Sequence, residues 1–439
     1  MPRVCPRFGR SLRSLFVRAV LVVALCACAT RKAPAELDGP DAPIDRDDFY
    51  TIWLGGARVG TAIEREEWSR SGLTLHREER MHFLRGDSDV ALSTTIEIRT
   101  DRALVPSRVR WLERTIATPL ATSVPALPRE RRAEATRDAT GAWHTSDGAQ
   151  LPGDAIPAEL VPTLVREHRG TPAFSGRVFL PGRGFLIGDG RIDRIAERRL
   201  VARLALDGGA LAEATIDTTD DGTYTRVVDG EGVIAIRTTE AAARAPFQPV
   251  DLIAATSIPI AGIASQTLLL EGGLAVPALP GQLARPDADG VALELSPRLP
   301  GDLPYGAFGR DRSKEITGLV ATVRARIAPD LGAHPGSPRD AATATAGDCT
   351  TFALAYASLA THRSIPTRLV TGLRIDGGRL VRHRWAVSWT GKAWIAVDAA
   401  FGAAPAGGDL IGLAVHDADD AGLVAGEAAL AQVRSAAWR

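Results

Sequence analysis

Three residues in the last third of the sequence could together attack an amide: Cys349, His383 and Asp398. A thiolate is the nucleophilic form of cysteine, an imidazole can take and return a proton near neutral pH, and a carboxylate can orient that imidazole and stabilise its cation. Gly347-Asp348-Cys349 puts the thiol at the start of a predicted helix, where unpaired amides and the helix dipole favour thiolate over thiol. Singly, each of the three is more often a structural or surface residue. Their order and setting make them a candidate site.

The flanking pattern supplies elements that could bring the three together. Ile316, Leu319, Val320, Val323 and Ile327 recur at helical spacing until Pro329-Asp330. Cys349 to Thr361 reads as a second helix with Phe352, Tyr356 and Leu359 on one face, broken at Ile365-Pro366. Leu369 to Leu373 reads as a strand, and Val381 to Trp389 with Trp394 to Val397 as a hairpin turning at Thr390-Gly391-Lys392. His383 shares a face with Trp385, Val387 and Trp389, and Asp398 closes the partner strand. In an antiparallel hairpin those ends are neighbours, so the carboxylate can reach the imidazole while the helix delivers the sulfur.

Gly-Asp-Cys349, a helix, Ser364-Ile365-Pro366-Thr367-Arg368, His383-Arg384-Trp385 and Trp394-Ile395-Ala396-Val397-Asp398 together resemble the core of the transglutaminase-like superfamily. The family pattern is Gly-x-Cys, a helix, Gly-Ile-Pro-Ala-Arg, His-x-Trp and Trp-x-x-x-Asp, and five separated elements agree with it in order between Ile316 and about Asp409. The resemblance implies a papain-like α+β domain with Cys349 as nucleophile, His383 as general base and Asp398 as orienting carboxylate. It implies an acyl-enzyme resolved by water or by an amine on a protein or peptide substrate, cell-wall peptides among them. The Cys349 amide would form part of the oxyanion hole. Neither metal nor cofactor is expected, and no EF-hand calcium loop is present. The chain departs from its bacterial relatives at Thr350-Thr351-Phe352, where an acidic residue and a His are frequent, at Ser364 for Gly and at Val387 for Glu. These departures motivate a second reading, an inactive envelope module that keeps only the fold. The sequence contains no asparagine, which excludes a Cys-His-Asn triad.

The amino terminus reads as an export signal. Five arginines (Arg3, Arg7, Arg10, Arg13, Arg18) precede the apolar run from Ala19 to Leu25, too short for a bilayer core that needs about twenty residues. Leu25-Cys26-Ala27-Cys28 resembles a bacterial lipobox. The expectation is a signal peptide over 1–27, palmitate-type acylation of Cys28, and a tether over 28–47 rich in Ala, Pro and Asp. Each buried methylene contributes about 0.8 kcal/mol, so two or three acyl chains would hold the protein on the membrane. Ala29 fits an outer-membrane destination facing the periplasm. Of four cysteines, Cys5 and Cys26 would leave with the signal and Cys28 would carry lipid, so Cys349 would be the single remaining thiol.

From Phe49 the pattern turns period-two: Leu73, Leu75, Arg77, Glu79, Met81 and Phe83 fall on one side of a strand, and Leu92, Thr94, Ile96 and Ile98 on one side of the next. A β-rich antiparallel region is expected over 48–300, with a long surface excursion from Pro119 to Pro157, followed by the α+β domain over 301–439. His76 and His82 share a strand face with no further ligand at metal spacing, and the glycines near 182–190 read as turns. A length of 439 residues fits two or three domains, and four cysteines exclude a disulfide-built scaffold. Without the first 27 residues, 47 basic side chains face 52 acidic ones, and no basic stripe is present, which argues against a nucleic-acid partner. Only three lysines accompany the many arginines, so stretches such as Arg129-Glu130-Arg131-Arg132 read as solvated surface.

Overall fold

The computed structural model describes residues 45–439 apart from 121–127, 168–171, 207–210, 230–231, 274, 305 and 332–337. The expected signal peptide, Cys28 and all of the expected tether before residue 45 lie outside the described residues. Strands account for 52% and helices for 18%, so the protein is mostly β, more so than an α+β label conveys. No described helix is long and apolar enough to cross a membrane. The chain divides into two compact units, one holding most of the residues up to Val250, the other holding Asp251–Arg439 together with residues 85–88.

The first unit is built on a 14-stranded sheet made of two meanders that meet where Arg46–Leu54 pairs with Val233–Thr238. Alternation makes these strands: along Gly72–Arg85 buried and partly exposed residues alternate, with Leu73, Leu75, Met81 and Phe83 inward as expected. Arg77 and Glu79 fall on that inward side too. Their burial is tolerated because the Arg77 guanidinium bridges Glu64 at 3.0 Å and Glu79 at 2.5 Å. The expected excursion from Pro119 to Pro157 is corrected by three strands within it: Ile156–Pro157 closes one end of the sheet, and Arg129–Arg137 and Trp143–Thr145 extend the other. The signal of Arg129–Arg137 is charge pairing across strands rather than apolar alternation: Arg114 meets Glu130 at 2.6 Å and Arg108 meets Glu134 at 2.5 Å.

In the second unit three helices and four strands build the candidate site. They are α1 (Ser313–Arg326), α2 (Cys349–His362), β1 (Thr367–Asp376), β2 (Arg379–Trp389), β3 (Trp394–Asp398), β4 (Leu410–His416) and α3 (Asp420–Leu430). Strand β2 pairs antiparallel with β1 on one side and β3 on the other, with Gly372 opposite His383 and Val397 opposite Ala386. The sheet separates two cores. Ile316, Val320, Val323, Phe352 and Tyr356 of α1 and α2 pack on Leu369, Ala386 and Val397, while Val370, Trp385, Val387 and Ala396 face the other way onto Leu279. Each large side chain so buried contributes about 1.5–3 kcal/mol, enough to fix α2 against the sheet. The unit begins at Asp251, and strands from the 258–295 stretch join its sheet: Thr267–Gly272 pairs with Val433–Trp438 near the carboxyl end. Local pattern shows that such a segment is a strand, but not which distant strand completes it.

Candidate active site

Helix α2 starts at Cys349 because Asp348 caps it. One carboxylate oxygen of Asp348 accepts from the Thr350 and Thr351 amides at 3.0 and 3.1 Å, satisfying two of the donors that a helix start leaves open. The other oxygen accepts from Arg85 Nη2 at 2.8 Å, so the fully buried carboxylate has a counter-charge within its own unit. An Asp directly before a helical run is a capping signal, and it could have marked Asp348 from the sequence. Gly347 belongs to the same start. A Cβ there would run into the Thr351 side chain.

His383 lies on β2 with Asp398 at the end of β3, and the structure joins them as the hairpin pattern anticipates. Nε2 is 2.7 Å from Asp398 Oδ2, and both side chains are at most 3% exposed. An ionised carboxylate only accepts, so Nε2 carries a proton in this pair and Nδ1 is the nitrogen left for chemistry. Nδ1 is buried with no oxygen or nitrogen partner, and Cys349 is the side chain that acts on the ring besides Asp398. The imidazole is held in place by Trp385, stacked at 5.9 Å, and by Phe401, whose ring meets it edge to face at 5.5 Å.

Burial is the largest influence on His383 and by itself would push its pKa down. Asp398, through charge and hydrogen bond, and then Cys349 together outweigh it and bring the pKa up to about 9. The ring is therefore a cation at neutral pH, beside a thiol at a helix start. Such a pair can deliver a thiolate to a carbonyl and a proton to the departing group. Among the described residues no three His, Cys, Asp or Glu side chains gather as a metal site.

Residues 310–399 match the family model of the transglutaminase-like superfamily. The chain carries a transglutaminase-like domain. Comparisons with curated proteins and with solved structures give no match. The domain's departures from the family pattern have structural occupations. Thr351 Oγ1 donates to the capping Asp348 at 3.3 Å, and Thr350 Oγ1 accepts from Arg384 at 3.1 Å. Ser364 takes the left-handed backbone, φ 53°, that explains the usual Gly at this place. Arg368 of the Ile-Pro-Thr-Arg stretch forms an exposed pair with Asp417. Trp389 and Trp394 give their indole N–H groups to the Ala307 and Pro304 carbonyls, at 2.9 and 3.0 Å, so neither waits for a ligand.

One cluster beside the triad escaped sequence reasoning. Arg384 and Glu427 are both buried and paired at 2.7 Å. The arginines on either side of His383, Arg382 and Arg384, were the available signal, but their partner sits on α3, beyond the stretch that the family pattern covers.

Proposed function

We propose that this protein is a cysteine enzyme that acts on peptide or side-chain amide bonds through a thioester on Cys349. The observation that carries the reading is the buried His383, bound to Asp398 at 2.7 Å through one nitrogen with the other left for the thiol of Cys349. In the first half-reaction the Cys349 sulfur bonds to the amide carbon. The imidazolium gives its proton to the leaving nitrogen, the C–N bond breaks, and an amine departs. In the second, His383 takes a proton from water or from an incoming amine as that nucleophile displaces the sulfur, giving a carboxylic acid or a new amide. Asp398 keeps the ring in one tautomer and stabilises its charge, and the Cys349 backbone amide would contribute to the oxyanion hole. The fold we attach to this activity is the papain-like α+β arrangement, and the location we attach to it is the outer membrane's periplasmic side, through lipid on Cys28.

A comparison of wild type with Cys349→Ala on peptide, crosslinked-peptide and peptidoglycan-peptide substrates, with and without a labelled primary amine, tests the reading. Wild type is expected to release peptide or incorporate the amine, and the variant to do neither. Identical product profiles would reject Cys349 catalysis on those substrates.

Cys349 is only 4% exposed as a residue, and this favours a second reading, a binding module that keeps the fold without the activity. Alkylation separates the two. An enzyme's thiol reacts quickly at pH 6–7 in a manner that depends on His383, whereas an inert buried thiol reacts slowly whether or not His383 is present.

A further inference from the structure

Arg384 follows the imidazole in sequence, Thr350 follows the thiol, and the two are bonded to one another. Arg384 Nη1 donates to Thr350 Oγ1 at 3.1 Å on α2, Nε donates to Thr371 Oγ1 at 2.9 Å on β1, and Nη2 donates to Glu427 Oε1 at 2.7 Å on α3. Arg384, Thr350, Thr371 and Glu427 are each at most 3% exposed. Around them Arg382 approaches the second Glu427 oxygen at 3.6 Å, and His416 Nε2 shares Thr371 Oγ1 at 2.8 Å while its Nδ1 meets the Asp417 carbonyl at 2.8 Å. Helix α3 can bring Glu427 in because residue 426 is Gly. A Cβ there would collide with the Thr371 side chain.

Taking a charged pair out of water offsets most of its attraction, so stability alone is a weak reason for this cluster. What a guanidinium adds is a planar fork that holds several partners at fixed distances, which a flexible ammonium cannot do. Here the fork spans the two elements that must meet for chemistry, one residue from the sulfur on α2 and one residue from the imidazole on β2. An error of about 1 Å in such an approach can cost on the order of a hundredfold in rate.

We propose that Arg384, anchored by Glu427, is the positioning residue that sets the approach of the Cys349 thiol to His383. The proposal rests on the reading of Cys349 as a nucleophile, and it assigns to the Thr350, Arg384 and Glu427 chain the alignment that the triad itself does not provide.

The test is the pH dependence of iodoacetamide labelling at Cys349 in the full chain, with melting temperature measured alongside. Wild type is expected to show a midpoint well below the ordinary thiol value of about 8.5. Thr350→Val keeps the side chain's shape and removes its bond to Arg384. It is expected to raise the midpoint by about one unit, a labelling rate roughly tenfold lower at pH 6, and to lower melting without unfolding the protein, since the buried guanidinium loses one partner. Arg384→Met and Glu427→Gln are expected to raise it further. Tyr356→Phe is the comparison: it cuts the 2.8 Å bond from the same helix to Ser388 on the same strand, away from the thiol, and is expected to lower melting without moving the midpoint. An unmoved midpoint in folded Thr350→Val overturns the proposal and leaves the enzyme reading standing, as does an equal shift in Tyr356→Phe. An ordinary midpoint in wild type overturns both.

Discussion

His383 Nε2 and Asp398 Oδ2 meet at 2.7 Å in surroundings that exclude water. The contact decides which nitrogen faces the thiol and keeps the ring charged despite its burial. Replacing Asp398 by Asn should preserve the packing and lose both effects, because an amide can offer its own N–H to Nε2 and carries no charge. On the proposed mechanism Asp398→Asn should lower kcat by on the order of 10³–10⁴-fold, and alkylation of Cys349 at pH 6–7 should slow at least about tenfold. An alkylation profile identical to wild type would show that the carboxylate does not govern the thiol.

The same pair predicts how stability responds to alkali. The folded His383 pKa, about 9, is raised above the ordinary 6.5, so the stabilisation from its charged form is present in full below about 6.5 and is lost as pH climbs through 9. His416 runs the other way. Burial first, and the neighbouring Arg384 charge second, push it down to about 4, so its contribution is complete above 6.5 and is lost as pH falls toward 4. Each limb is expected to be worth on the order of 1–3 kcal/mol. Melting of this unit against pH should peak near neutrality, with the alkaline limb flattened in Asp398→Asn and the acid limb flattened in His416→Gln. Limbs that keep their slopes in those variants would assign the pH response to other groups.

The pairing of His383 with Asp398 and the place of Cys349 at a helix start were legible because their information is local. A helix start, a hairpin turn and two strand ends are each written in a few adjacent residues, and the resemblance ties them in order. Arg384 and Glu427 were not legible, since an ion pair between β2 and α3 leaves no local pattern in either segment. The strands over 258–295 show the same limit. Thr267–Gly272 carries an apolar run of three leucines, but its pairing with Val433–Trp438 is a matter of tertiary contact. The strand at Arg129–Arg137 was missed for a third reason: its arginines and glutamates are spaced for cross-strand pairing, which in sequence resembles solvated surface.

In the other unit, Glu159 is buried with Oε2 lacking a hydrogen-bond partner, and burial raises its pKa to about 7. A carboxyl with a raised folded pKa binds its proton more tightly folded than unfolded, so its stabilisation is complete below about 4.5 and is lost as pH rises through 7. Glu159→Gln keeps the shape and cannot ionise. The variant is therefore expected to melt higher than wild type at pH 8, by an amount that shrinks to nothing near pH 4.5. A difference that does not vary with pH would mean that Glu159 is already ionised or already neutral throughout.

Ser364 occupies the turn that follows α2 with φ 53°, where an L-residue crowds its own carbonyl at a cost of about 1–2 kcal/mol and Gly does not. The family pattern has Gly here, and the reason is visible in the backbone: the Ser364 and Ile365 amides fold back onto the Thr361 and Ala360 carbonyls to close the helix before β1 begins. Gly also gains freedom in the unfolded chain, which removes part of the benefit, about 0.4–1 kcal/mol. Ser364→Gly should therefore stabilise the domain by a net of roughly 0.5–1 kcal/mol, a rise of about 1–4 °C in melting temperature. Because the strain lies at the carboxyl end of α2, thirteen residues or more from the thiol along the helix, the pH profile of Cys349 labelling should not move. Calorimetry on the two proteins decides it, and a lower melting temperature for the glycine form would mean that the serine side chain contributes more than its backbone costs.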